Sequence, residues 1–164
     1  MYYIKKDKLF MWKDKLEKIK IEFENYFGFV FNNPASDNEI FKLKNSFFKK
    51  FGLELPTQYL EFLKYMNGIE FDGFIILSVD ENLLDNGINQ EVGGIIDFNE
   101  ILYENEFNKD YIFLADRDIS WYVYNIKDKN FNILDKPSGE LMETYNDFYS
   151  MLDNVLEEYI LNNL

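Results

Sequence analysis

Asp116 and Asp118 flank Arg117, the only arginine of the chain. On a strand or at its end, that spacing puts both carboxylates on one face. Such a pair could hold Mg²⁺ or supply the acid and base of a glycosidase-like site. No partner carboxylate can be assigned at a defined spacing, and the simpler reading is a solvated strand end. A second acidic run, Asp80-Glu81-Asn82-Leu83-Leu84-Asp85-Asn86-Gly87, has the flavour of a Ca²⁺ loop. Leu84 falls where the fifth position needs an oxygen ligand, so the register fails. Trp121, Tyr122 and Tyr124 could stack on bases or sugars. In alternating strands such rings more often pack across the sheet.

The chain has no His and no Cys. Triads of the Ser-His-Asp or Cys-His kind and the usual zinc sites are therefore excluded. Gly93-Gly94 lacks the flanking glycine spacing and the following Lys-Ser/Thr of a phosphate loop. The expectation is a protein that is not an enzyme and needs no metal and no cofactor.

Charge points to binding instead. Net charge is −13 over 164 residues. It is uneven: residues 1–50 hold 11 lysines against 7 carboxylates, and residues 51–164 hold 6 basic against 23 acidic groups. Such acidity repels phosphate backbones, which argues against nucleic acid. It would speed encounter with a basic protein, although it also serves solubility. Neither a signal-peptide h-region nor an apolar run of membrane-span length is present. The expectation is a cytoplasmic protein with no membrane partner.

The elements that must position these residues can be read from period and punctuation. Leu9, Trp12, Leu16, Ile19, Phe23 and Tyr26 recur at spacings of 3 and 4, after an Asp7 cap and before Gly28. This stripe suits packing on the protein's own core. Ser36-Asp37-Asn38-Glu39 is a capping box, and Ile40, Leu43, Phe47 and Phe51 line the helix that Gly52 closes. The third helix is written in Leu55 to Gly68. Pro56 takes the first helical position, Tyr59, Phe62, Leu63 and Met66 form the apolar face, and Asn67-Gly68 forms the end.

After Gly68 the texture turns to sheet. Phe71-Asp72-Gly73 is a turn and Phe74–Leu77 a strand buried on both faces. A loop from Ser78 to Gly94 follows. Asp97-Phe98-Asn99-Glu100 resembles a second helix start, with the helix running to about Phe107. Strands follow at Tyr111–Leu114, Ile119–Ile126 and Phe131–Ile133, with a last short one at Leu141-Met142. Phe148, Leu152, Val155 and Tyr159 mark a closing helix. The fold class is α+β, a single domain over residues 1–164. It has a central twisted, mostly antiparallel sheet flanked by N-terminal helices and a C-terminal helix.

Leu55-Pro56-x-x-Tyr59-x-x-Phe62-Leu63-x-x-x-Asn67-Gly68 resembles the signature segment of the SUKH superfamily. Trp12, the Asn33-Pro34-Ala35-Ser36 entry, Phe71–Phe74, Ile119–Tyr124 with Trp121, Asp135-Lys136-Pro137-Ser138-Gly139 and Phe148–Leu152 fit the same order. The later blocks look most like the YrhA-like branch. The resemblance implies an α+β domain and, for many bacterial members, immunity: binding and neutralising a cognate polymorphic toxin. With the acidic surface, a basic nuclease domain is the natural toxin. The alternative is an interaction or regulatory module of the same fold without a toxin partner. The resemblance carries no catalytic residues, and its signature positions look architectural. Asp72, Asp80, Glu81, Asp85, Asp116 and Asp118 are the candidate partner-binding residues. Many relatives have Gly where this chain has Ala115-Asp116-Arg117-Asp118, so a tight left-handed turn is not expected there.

Overall fold

The structure is a computed structural model that describes residues 11–27, 32–86 and 92–164. The Asp7 cap, Leu9, the side chain of Tyr26, and the breaks at Gly28 and Gly87 lie outside the described residues. The helices are α1 (Met11–Phe27), α2 (Asp37–Phe51), α3 (Thr57–Tyr65), α4 (Ile95–Leu102) and α5 (Phe148–Asn163). The strands are β1 (Ile69–Phe71), β2 (Phe74–Ile76), β3 (Tyr111–Arg117), β4 (Ser120–Asn125), β5 (Asn130–Asp135) and β6 (Leu141–Tyr145). The α+β class is thus as expected. The chain forms two compact units, one built on α1 and α5, the other spanning Phe31–Thr144.

In the first unit, α1 packs on α5. Trp12, Leu16 and Ile19 of the expected stripe are buried, as are Phe148, Met151, Leu152, Val155, Leu156 and Tyr159. Trp12 stacks on Tyr149 with ring centroids 5.5 Å apart and planes at 11°. Lys15 bridges one α5 turn, reaching Asp153 at 3.0 Å and Glu157 at 2.8 Å. Asp147 caps α5 by accepting the N–H of Ser150.

The second unit holds a six-stranded sheet in the order β1-β2-β3-β4-β5-β6. The pairs β1/β2, β2/β3, β3/β4 and β4/β5 are antiparallel. The register shifts between Phe113 and Ala115, so Phe113 faces Val123 while Ala115 faces Tyr122. On one sheet face Phe113, Val123 and Leu134 form a core against which Phe98 and Leu102 of α4 pack. On the other face Ile112, Ala115, Tyr122, Phe131 and Ile133 are buried too. That two-sided burial explains the near-continuous apolar run at the start of β3.

The Ser36 capping box forms in full, and Gly52 closes α2 in the left-handed conformation. Other ends differ from expectation. Pro56 is the N-cap of α3, one position earlier than read. α3 stops at Tyr65 because Met66 is already extended, with φ −155°. Gly68, at φ +79°, therefore does not end the helix. A Cβ there would lie 2.8 Å from the Ser78 Cβ and 2.9 Å from the Ile76 carbonyl oxygen, so close backbone approach requires the glycine. α4 starts at Ile95 rather than after Asp97, and it stops at Leu102, with a separate 3-10 turn at Glu106–Asp110. β6 runs on to Tyr145. Asp118-Ile119 make a two-residue connection in which neither residue has a positive φ, as expected without glycine.

Candidate functional site

Antiparallel pairing brings two chain reversals to one end of the sheet. Asp72 and Gly73, at φ 47° and 74°, join β1 to β2. This double left-handed conformation is the one favoured for two-residue hairpins. Ile75 pairs with Asp116, so the β3–β4 connection lies beside that hairpin. A Cβ built on Gly73 would sit 3.9 Å from Asp118 Oδ1, and Arg117 Nη2 lies 4.0 Å from Asp72 Oδ2. Asp72, Asp116 and Asp118 are therefore gathered at one sheet tip.

The register lays a row of side chains across that tip: Glu70 opposite Ile75, Ile75 opposite Asp116, Asp116 opposite Trp121. All four are half-buried. Trp121 rests edge-on against Phe113, with centroids 5.5 Å apart, and leaves part of its ring accessible. Ile119 projects at the rim with 65% of its surface exposed. Lys136 comes from the β5–β6 turn, where Gly139 takes φ 74° and the Lys136 N–H donates to the Ile119 carbonyl. Its ammonium lies 2.9 Å from Asp116 Oδ1 and 5.9 Å from the Trp121 ring centre. Cation–π contact and ion pairing thus hold the indole in place. The signature positions Pro137 and Gly139 shape the turn that delivers Lys136. The tip thus sets four carboxylates, two of them beside Arg117 or Lys136, next to half-buried Ile75 and Trp121.

The other three candidates lie beyond the opposite end of β2, and they do not share one role. Asp80 is only 1% exposed, which overturns its reading as a steering charge. Its two carboxylate oxygens accept the N–H groups of Ile96 and Asp97, each at 2.9 Å. These are orphan donors of the first turn of α4, whose N-cap, Gly94, has no side chain to offer. A Cβ on Gly94 would lie 2.2 Å from Asp80 Oδ1 and 2.6 Å from its Cα, so the two residues are mutually required. Burial pushes the Asp80 carboxyl above the usual range, and the two N–H donors pull against that rise.

Asp85 is exposed but engaged. It accepts from Ser36 Oγ at 2.6 Å, Asn38 Nδ2 at 2.7 Å and Lys42 Nζ at 2.9 Å. Those bonds, led by Ser36, lower its carboxyl to about 2. Glu81 lies exposed in the 3-10 turn Glu81–Leu83.

The signature segment serves this junction. Leu55, Phe62 and Leu63 are buried. The buried Tyr59 hydroxyl donates to the Leu77 carbonyl at 2.5 Å, and burial holds its pKa well above the usual value. Asn67 accepts the Val79 N–H, and the single Ser78 hydroxyl proton has the Val92 and Gly93 carbonyls within reach, at 2.9 and 3.0 Å. Asn99 accepts the Phe113 N–H and donates to the Phe113 carbonyl, tying α4 to β3. Sequence reading missed this buried polar network. The usable signal was a helix start at Gly94, which calls for a capping oxygen from elsewhere. Among the described residues no group of three or more His, Cys, Asp or Glu is placed to hold a metal ion.

A sheet with helices, an architectural polar junction and an acidic, partly apolar tip describe an α+β domain. A family model, SUKH_6, described as SMI1-KNR4 cell-wall, matches residues 45–152, and the chain belongs to this family of the SUKH superfamily. The chain is similar to the uncharacterized protein YnaB of Bacillus subtilis (strain 168). The two are 34% identical over 88 residues, which is 53% of this chain and 47% of YnaB. The chain thus matches about half the length of that relative. Among the described residues no helix is long and apolar enough to cross a membrane.

Proposed function

We propose that the protein is a non-enzymatic immunity protein that binds and neutralises a cognate toxin in the cytoplasm of the producing cell, with the whole chain acting as one SUKH-like domain. The observation that carries the reading is the sheet tip, where Glu70, Asp72, Asp116 and Asp118 share one end of the sheet with Trp121 and Ile119. Family membership supports a binding role, since the family is generally non-catalytic. A basic nuclease domain is the toxin whose charge best matches this surface. A neutralising interface would bury roughly 1,600 Å² in total. Its association rate would fall with added salt, because exposed charges are screened.

The test is co-expression with any toxin domain that a neighbouring gene encodes; a neighbourhood without one counts against the reading. Wild-type protein restores growth, and the Asp72→Lys/Asp118→Lys variant loses protection while melting like wild type. Equal killing with and without the wild-type chain rejects the immunity reading. The cell-wall description of the family model favours a second reading, an interaction module without a toxin. That reading expects the tip variant to lose a housekeeping partner instead.

A further inference from the structure

The outward side of α2 departs from the rest of the molecule in two respects. Phe41 and Phe48 are 63% and 56% exposed. They stand seven residues apart, two helical turns, so they share one stripe. Residues 41–51 carry four lysines and no carboxylate, in a chain of net charge −13. Lys42 and Lys50 are taken by Asp85 and Glu100. Lys44 and Lys49 have no ion-pair partner among the described residues and lie exposed; Lys44, three residues after Phe41 and four before Phe48, shares their stripe, and Lys49 flanks it. Single exposed apolar residues need no explanation, but two large rings aligned on one stripe with free cations form a docking face.

The same unit carries the complementary surface. The sheet tip presents Ile119 and Trp121 among Glu70, Asp72, Asp116 and Asp118, with Arg117 and Lys136 as its cations. One surface is basic and aromatic; the other is acidic with an apolar centre. Pairing two α2 stripes about a two-fold axis would oppose lysine to lysine. Pairing a stripe with a tip opposes lysine to aspartate and covers apolar area on both sides.

We propose that the chain self-associates head to tail, the Phe41/Lys44/Phe48/Lys49 stripe of one copy seating on the Asp72/Asp118/Ile119/Trp121 tip of another. The contact is heterologous and so can propagate. It is small and salt-sensitive, of the transient class. It shares the tip with the immunity reading but requires no toxin. A toxin occupying the tip would compete with it, so storage and neutralisation would be alternative uses of one surface.

The test uses the purified chain in sedimentation equilibrium across a concentration series at low and high salt. The expected result is a weight-average mass that rises with concentration toward dimer and beyond, and returns to monomer at high salt. Lys44→Glu/Lys49→Glu and Asp72→Lys/Asp118→Lys should each be monomeric alone. Mixed, they should associate again, because the first retains its tip and the second its stripe. However, Asp72→Lys and Asp118→Lys could also meet Lys44→Glu and Lys49→Glu by charge swap. Phe41→Ser/Phe48→Ser is therefore the second stripe variant: it should also be monomeric alone, and mixed with Asp72→Lys/Asp118→Lys it should form a 1:1 dimer that goes no further, because it offers no swapped charge.

A wild-type mass that stays monomeric at all concentrations overturns the proposal. So does self-association that survives both stripe variants, or an equimolar mixture of the first two variants that remains monomeric. Neutralisation is read separately: the stripe variants should still protect against toxin. Protection with no self-association sinks only this inference, and self-association with no protection sinks only the immunity reading.

Discussion

The sheet tip and the junction after β2 are both acidic in sequence, yet they use acid in opposite ways. At the junction, Asp80 is sealed inside and spends both oxygens on the start of α4. At the tip, Asp72 and Asp118 sit on two-residue reversals and keep their charge at the surface. A buried carboxylate with two backbone donors is a structural cap. An exposed one beside the half-buried Trp121 ring leaves its charge in solvent. Acidity counted along the chain therefore overstates acidity on the surface.

This contrast can be broken most forcefully at the junction. Gly94→Ala places a Cβ on the Asp80 carboxylate and Cα, and should cost about 3 kcal/mol as overpacking. Asp80→Ala leaves two N–H groups of α4 without their acceptors, and should cost about 2–4 kcal/mol. In a thermal melt such losses correspond to a Tm lower by roughly 5–15 °C for a chain of this size. A wild-type melt for both variants would show that Asp80 is no cap.

The same chemistry at the tip gives the smaller effect. Asp72→Asn/Asp118→Asn should change stability by less than about 0.5 kcal/mol, as ordinary surface substitutions do. It should nevertheless slow association with a basic partner. A Tm drop as large as that of Asp80→Ala would erase the distinction between the two regions.

The finest test separates Asp80 from Asp85. Asp85 has a folded pKa of about 2, below its unfolded value near ~3.9. Its stabilisation is present above pH ~4 and is lost as pH falls toward 2. Asp80 is shifted the other way by burial, so its ionisation works against the fold as pH rises through its raised value. Asp85→Asn should therefore lose less stability than wild type between pH ~4 and 2 in acid titrations followed by circular dichroism. An unchanged acid slope would remove Asp85 from the junction.

Features set by near neighbours were legible in the sequence. The Ser36 box works because its hydroxyl and the Glu39 carboxylate are three residues apart and satisfy each other's backbone. The α1 stripe was legible because burial repeats with the helical period, and β3 because burial on both faces leaves an unbroken apolar run. The cap of α4 was not, since its carboxylate comes from 16 residues upstream and reaches the helix only after β2 exits the sheet. Gly68 was misassigned because a positive φ serves helix ends and close backbone packing equally, and only the Ser78 contact separates them. Asp116 and Asp118 were visible as a pair. Their gathering with Asp72 and Glu70 depends on strand register, which single-sequence patterns do not encode.

The chain has two tryptophans, and each belongs to a different unit. Trp12 is 2% exposed on α1, whereas Trp121 is half-buried at the tip beneath the Lys136 ammonium. The molecule thus carries its own pair of optical labels. Replacing Trp12 by Phe leaves an emission that reports only on the sheet tip, and replacing Trp121 leaves one that reports only on the helical pair. Docking and unfolding can then be followed in the same cuvette without attaching a dye.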